Sequence, residues 1–326
     1  MLAINQSDWQ PNHIPVMSNQ VVEALNVKPH GNYIDGTVGL GGHTRAILEA
    51  TDNKCTVLGI DKDPQVLKIA KKRLSEFGNS VILAQGNYAD LEDICNKYNF
   101  IQPDGLLLDL GISSFQLEQN DRGFSFLRDE HLDMRMNQSD SISAYEIINQ
   151  TTEKELANII WEYGEERQSR KIAKAIINHR PISTTGELAA LVEKVKYRKK
   201  TSRQKIHPAT LTFQAIRIAV NNELEQLKKV LQVVHNLLET KSGRLAIISF
   251  HSLEDRIVKN YIRNNSSQKP RNRWELEHTT PPLWLQISKK VIKPSEKEIN
   301  INPRSRSARL RVAEALSIME NIDDKN

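Results

Sequence analysis

At 326 residues the chain is long enough for one large core or two domains, and it is only mildly basic, with 45 Lys and Arg against 40 Asp and Glu. It contains no run of 18 apolar residues, and its N-terminus lacks the charged-then-apolar pattern of a leader. A membrane span is therefore excluded from the reading, and a cytoplasmic enzyme is expected. Cys55 and Cys95 have neither metal-ligand nor redox spacing, so no metal is expected and both read as buried packing residues.

The first predicted strand, 32–35, is a short apolar run that ends in Asp35. It opens into a loop carrying Gly36, Gly39, Gly41 and Gly42, and a helical segment follows from Arg45 to Ala50. Strand, glycine-rich turn and helix N-terminus make a nucleotide cradle. Glycines let the backbone approach the ligand, and free N–H groups at the helix start point towards it. The next strand, 56–60, leads into Asp61, 20 residues after Gly41. At that spacing an acid hydrogen-bonds a ribose hydroxyl. A phosphate-binding ATPase loop fails here, because Gly42-His43 stands where Lys-Ser/Thr is needed. A dinucleotide fingerprint fails because Thr44 stands at the third glycine. The pattern that fits is D-x-G-x-G-x-G of S-adenosylmethionine-dependent methyltransferases, with Thr37 in place of the first glycine.

Helix 64–77, strand 81–85, helix 89–98 and strand 105–109 continue the alternation, which predicts a parallel sheet with right-handed crossovers. Beyond about residue 115 the strands stop. Leu156, Ile159, Ile160 and Tyr163 recur at helical spacing, as do Leu188, Leu191, Val192 and Val195. Phe213 to Leu238 reads as one long helix or a helix pair. Strand character returns at 244–250 and 308–313. The chain thus reads as one α/β domain, 1–115 with 213–326, interrupted by a helical insertion over 116–212. Lys194 to Lys205 holds seven basic residues in twelve, and Arg304, Arg306, Arg309 and Arg311 form a second group. Such runs are either solvated faces or surfaces for a polyanion.

Ligands of open α/β sheets sit outside the carboxyl ends of the strands. Three residues stand there: Asp109 after the fourth strand, Tyr88 after the third and His251 after the fifth. Asp109 reads as a site carboxylate or a turn acid, Tyr88 as an adenine-stacking ring or a core aromatic. His251 reads as a structural histidine before a catalyst. Ser252 with Asp255 is expected to form a capping box.

Ten stretches, in order, resemble the bacterial small-subunit (16S) ribosomal RNA (cytosine-N4)-methyltransferases. They are His13–Met17, Tyr33–Thr44, Leu107–Ser114, Arg122–Phe126, Leu132–Met136, Tyr163–Arg167, His207–Thr210, Thr212–Ile218, Ser249–Arg256 and Asn302–Arg306. The resemblance covers nearly the whole chain and is weakest over 263–301. It implies a Rossmann-like class I methyltransferase sheet with an inserted helical domain, the latter for RNA recognition. It further implies S-adenosylmethionine contacts at Gly41, Gly42, His43, Asp61, Tyr88, Asp109 and Gln116. The implied partner is 16S ribosomal RNA or the small ribosomal subunit, and the implied target is a cytidine of the decoding region.

The chemistry narrows the target independently. Methylating C5 of a pyrimidine needs a reactive cysteine in an electropositive, accessible setting, which neither Cys55 nor Cys95 has. An exocyclic amine can instead attack the sulfonium methyl directly, and the protein then has to position the two groups and accept developing positive charge. Asp109 is the carboxylate placed to do so. Its following residues, Leu-Gly-Ile, lack the Pro-Pro-aromatic clamp of many amino-methyltransferases, so a role towards the cofactor stays open beside the catalytic one. The competing functions are methylation of a small molecule, DNA or another RNA base, and RNA binding without turnover.

Overall fold

Five short apolar stretches pair in parallel: β1 (Asn32–Asp35), β2 (Thr56–Asp61), β3 (Val81–Gln85), β4 (Gly105–Asp109) and β5 (Arg244–Ser249). β6 (Trp284–Gln286) and β7 (Arg309–Ala315) complete a seven-stranded sheet of order β3-β2-β1-β4-β5-β7-β6. The sheet is of the open α/β kind that the alternation of elements predicts. β7 is antiparallel to both β5 and β6, so the sheet is mixed at one edge where the alternation predicted parallel pairing throughout. β6 falls in the stretch where no sequence pattern is legible. The computed structural model describes residues 15–119, 121–196, 207–266 and 281–317.

The parallel strands are covered on both faces, which is why they read as continuous apolar runs rather than alternating ones. Successive residues point to opposite faces, so each strand feeds two cores. Ile34, Leu58, Leu106, Leu108 and Ile247 join one cluster with Leu91, Ile94, Leu231, Val258 and Trp284. Tyr33, Val57, Leu107, Ile248 and Val312 join the other with Val21, Ile47, Leu48 and Ala70. The helices Leu91–Lys97, Glu223–Leu238 and Ser252–Asn265 therefore supply one layer, and Ser18–Ala24, Gly42–Glu49 and Pro64–Arg73 supply the other.

By their contacts, Met1–Gly111 and Leu227–Asn326 form one unit and Ile112–Gln226 a second. The second unit contains the helices Ser114–Glu118, Ala144–Gln150, Glu153–Gly164, Ser169–Asn178, Thr185–Lys196 and Thr210–Asn221. Its own core joins Leu156, Ile160, Ile172, Ile176, Leu188, Val192, Phe213 and Ile216. By sequence pattern, 213 onward belongs to the sheet domain. In the structure Phe213 and Ile216 are buried among the insertion's helices instead. The Phe213–Leu238 pattern is a helix pair, broken at Asn222, which adopts φ 57. An uninterrupted apolar face hid that break.

Candidate active site

Three carboxylates surround the glycine loop at the carboxyl ends of β1, β2 and β4. Sheet order runs outward to β2 and β3 from β1, and to β5 from β4, so the crevice of an open α/β sheet falls between β1 and β4.

Asp35, at the end of β1, is fully buried and ties the loop to itself. Its Oδ1 accepts the Thr37 N–H (3.3 Å), and its Oδ2 accepts the Thr44 hydroxyl (2.8 Å). Burial pushes this carboxyl up, against the opposing pull of His43 and the two hydrogen bonds. Thr37, the departure from the glycine pattern, has a use of its own. Its Oγ1 accepts the Asp109 N–H at 2.7 Å and so joins the loop to β4. Gly39 and Gly41 adopt φ 52 and 83, the left-handed region that other residues enter at a cost. A Cβ on Gly41 would also meet Leu74 at 2.7 Å, whereas at Gly39 the nearest atom is 3.8 Å away. Gly41 is thus fixed by conformation and packing, and Gly39 by conformation alone. Gly42 begins the helix Gly42–Glu49, whose N-terminus carries no side-chain cap.

Asp61 ends β2 and holds the loop from the other side. Its Oδ2 accepts the Gly39 N–H (3.0 Å), and its Oδ1 accepts the Asp63 N–H (2.9 Å). A carboxylate offers about four lone-pair sites, so acceptor capacity is left over for hydroxyl groups. Burial pushes its pKa to about 7, although both backbone bonds favour the charged form.

His43 is buried in the first turn of the Gly42–Glu49 helix, with Nε2 3.3 Å from Asp109 Oδ2. Burial works against the imidazolium, but Asp109 and then Asp35 outweigh it and raise its pKa above the ordinary value. Glu298 adds to the same effect, and its Oε1 accepts the Met17 N–H at 2.6 Å. Asp109 Oδ1 and both ring nitrogens of His43 are buried without a hydrogen bond among the described residues, so Nε2 and Asp109 Oδ2 meet only as an ion-pair contact. Such orphaned atoms cost about 1–3 kcal/mol each, which a ligand's donor or acceptor offsets.

Tyr88 opens a single 3-10 turn, Tyr88–Asp90, after β3. It is half-buried against the sheet's core, and its Cβ lies 3.4 Å from where a Cβ on Gly36 would sit. It therefore flanks the start of the loop. Gln116 belongs to the second unit, where Ser113 N–H donates to its Oε1 (3.0 Å) and its own N–H donates to Ser113 Oγ (3.2 Å). Gly41, Gly42, His43, Asp61, Tyr88 and Asp109 are thus gathered in the first unit, and Gln116 completes the capping box of Ser113 in the other.

Several expectations change. The cap of the Ser252–Asn265 helix is His251, whose Nδ1 accepts the Glu254 N–H (3.4 Å), while Glu254 Oε2 accepts the Phe250 N–H (2.8 Å). Ser252 is already helical. Asp255 instead receives Arg311 Nε on Oδ1 (2.7 Å) and Arg309 Nη1 on Oδ2 (3.2 Å). That pairing holds Asp255 below the ordinary carboxylate range, burial notwithstanding, and occupies half of the second basic group. Of the first group, Lys196 donates to Glu166 Oε2 (2.5 Å) and to the Pro208 carbonyl (2.8 Å), so it serves the fold. Arg198, Lys199, Lys200, Arg203 and Lys205 lie outside the described residues. Cys55 and Cys95 are buried, and burial pushes both thiols up, Cys95 to about 11. Neither is a nucleophile.

The protein named ribosomal RNA small subunit methyltransferase H from Dehalococcoides mccartyi is 46% identical over 306 residues, which is 93% of this chain and 86% of that one. Proteins of the same name from a Cyanothece species and from Thermosipho africanus are each 46% identical over 308 residues. They cover 94% of this chain and 96% and 99% of their own. Residues 10–316 match the model of the MraW methylase family, and the chain belongs to that family.

Proposed function

We propose that the chain transfers a methyl group from S-adenosylmethionine to the N4 amine of a cytidine in small-subunit ribosomal RNA, in the decoding region. The observation that carries the reading is the Asp109 carboxylate at the β1/β4 crevice, with one oxygen 3.3 Å from His43 Nε2 and the other unpartnered among the described residues. The cofactor supplies an electrophilic methyl on a sulfonium centre. The residues fit it. Gly39 and Gly41 would let the backbone approach, the uncapped Gly42–Glu49 N-terminus would present N–H donors, Asp61 would receive ribose hydroxyls and Tyr88 would flank the adenine. Gln116 enters the proposal as a cofactor contact by resemblance alone.

Asp109 Oδ1 accepts an N4–H and draws the nitrogen lone pair out of conjugation with the ring. His43, whose pKa Asp109 and Asp35 raise against the effect of burial, stands 3.3 Å from the carboxylate's other oxygen. Positioning and charge stabilisation of this kind are worth two or more powers of ten in rate, on the order of 100-fold per group removed. RNA recognition falls to the helical unit, 112–226. A transfer assay with labelled methyl donor separates the rivals. Label is expected in ribosomal RNA or small subunits, and not in DNA or free nucleosides. Label in DNA alone, or none in any acceptor, overturns the reading.

Asp61 gives a pH dependence with a definite sign. Its carboxyl, ordinarily near 3.8, stands at about 7 in the fold, so the folded state holds this proton better than the unfolded chain does. This group alone therefore makes the free protein less stable as pH rises from 3.8 to about 7. Ribose hydroxyls favour the charged form, so cofactor binding runs the other way. Affinity is expected to fall by up to about tenfold per unit as pH drops below 7, with proton release on binding. Calorimetry in buffers of different ionisation enthalpy reads that proton directly. An affinity flat between about pH 5.5 and 7.5 with no released proton would contradict it.

A further inference from the structure

The second unit carries a cleft that none of the preceding chemistry uses. It has a volume of about 650 Å³ and is lined by Ala157, Asn158, Trp161, Arg167, Gln168, Ser169, Arg170 and Lys171. Trp161 is 55% exposed, an unusual position for the largest apolar side chain. The helix Glu153–Gly164 presents it one turn beyond Ala157 and Asn158. Opposite stands the beginning of the helix Ser169–Asn178, which has no side-chain cap.

Every titratable side chain lining the cleft is a cation. Arg167, Arg170 and Lys171 are exposed, and none makes an ion pair with a described residue. The adjacent buried acid, Glu166, is already occupied. Its Oε1 accepts the Gln168 N–H (2.8 Å), and its Oε2 receives Lys196. The acid thus shapes the turn at Gln168 and is paired with Lys196, leaving the three cleft cations without it as an ion-pair partner.

An exposed indole bordered by three cations is what a single-stranded nucleic acid requires. A base stacks on the aromatic face irrespective of sequence, and guanidinium and ammonium groups follow the phosphates. Arginine also offers a planar fork matched to phosphate oxygens. A cleft of this volume accommodates a nucleotide. We propose that the Trp161 cleft is an RNA-docking site that stacks one unpaired base on Trp161 and holds its flanking phosphates on Arg167, Arg170 and Lys171. This proposal rests on the RNA reading of the function and names a surface for it. Tyr163–Arg167 is one of the stretches that carry the family resemblance, and its arginine lines the cleft.

The test uses the full-length protein with a fluorescein-labelled, unstructured RNA of about 12 nucleotides and, separately, with small ribosomal subunits. Trp161→Ala is expected to weaken binding of the RNA about tenfold, and Trp161→Phe, which keeps a stacking ring, to weaken it less. Replacing Arg167, Arg170 and Lys171 together by Ala is expected to flatten the salt dependence by roughly 0.7 log units for each phosphate no longer neutralised. Cofactor affinity should be unchanged in each variant, and since all four side chains are exposed and line the cleft, circular dichroism should show the native fold. Wild-type RNA affinity and salt slope in both the Trp161→Ala and the triple variant would overturn the proposal. So would variants that bind the RNA normally and fail only on subunits, because the cleft would then meet a ribosomal protein. Should wild-type protein bind RNA through Trp161 and yet transfer no methyl, the docking site stands and the catalytic reading falls. Normal methylation by variants with unaltered binding removes the docking site and leaves the catalytic reading in place.

Discussion

Asp109→Ala is expected to reduce methyl transfer by about 100-fold or more at saturating cofactor and RNA. The substitution removes the carboxylate and leaves the backbone contact that positions β4, since it is the Asp109 N–H that donates to Thr37 Oγ1. The side chain is 23% exposed, so its loss opens no core cavity. Folding and RNA binding should therefore survive, and the effect should appear in the chemical step. Asp109→Asn tests which property matters. It keeps an acceptor for N4–H but no longer neutralises charge developing on nitrogen or pairs with the His43 imidazolium. It should also be severely impaired. His43 loses its main supporting charge in either variant, so its proton should leave at lower pH, which the ring's NMR titration reads. Single-turnover rates near wild type in Asp109→Ala would remove the residue from catalysis. A selective loss of cofactor affinity would instead assign it to the cofactor.

The second large effect is expected at Asp61. Asp61→Ala should weaken S-adenosylmethionine binding by about 1.5–3 kcal/mol, roughly 10- to 150-fold, as a charge-assisted bond to ribose is lost. Part of the loss comes from the loop, because the Gly39 and Asp63 N–H groups lose their acceptor as well. Asp61→Asn separates the contributions. Its one carbonyl oxygen can keep a single backbone donor, while the charge and the pH dependence near 7 disappear. Calorimetry on the two variants should give a graded loss. Equal affinity in wild type and Asp61→Ala would place the ribose elsewhere.

Much of this site is legible in the sequence because its determinants are local. Strands β1 and β4 end in acids, and four glycines follow β1 within seven residues, 36–42. Covered parallel strands leave long apolar runs, and their boundaries come out within a residue. Contacts between residues remote in sequence are what spacing cannot show. The Thr37 hydroxyl reaches Asp109 across 72 positions, so Thr37 looks like a defect in a glycine pattern until the fold supplies its partner. Asp255 looks like a helix cap because of its spacing from Ser252. Arg309 and Arg311 claim it from β7, 54 and 56 residues away. Charge runs mislead for the same reason. Lys196 belongs to a basic run but is spent on Glu166, whereas Arg167, Arg170 and Lys171, sparser in sequence, gather around one cleft. Trp284 carries no sequence signal at all. It is 1% exposed and donates its indole N–H to the Tyr261 hydroxyl at 3.1 Å, but its three-residue strand is too short to show a period.

The most direct test of the central claim is nucleoside mass spectrometry of 16S ribosomal RNA from cells with and without this protein. The account predicts that an N4-methylated cytidine, traceable to one position in the decoding region, is present with the protein and absent without it, while other modified nucleosides are unchanged. An N4-methylcytidine signal that persists in its absence, or the loss of a different methylated nucleoside, would contradict the account.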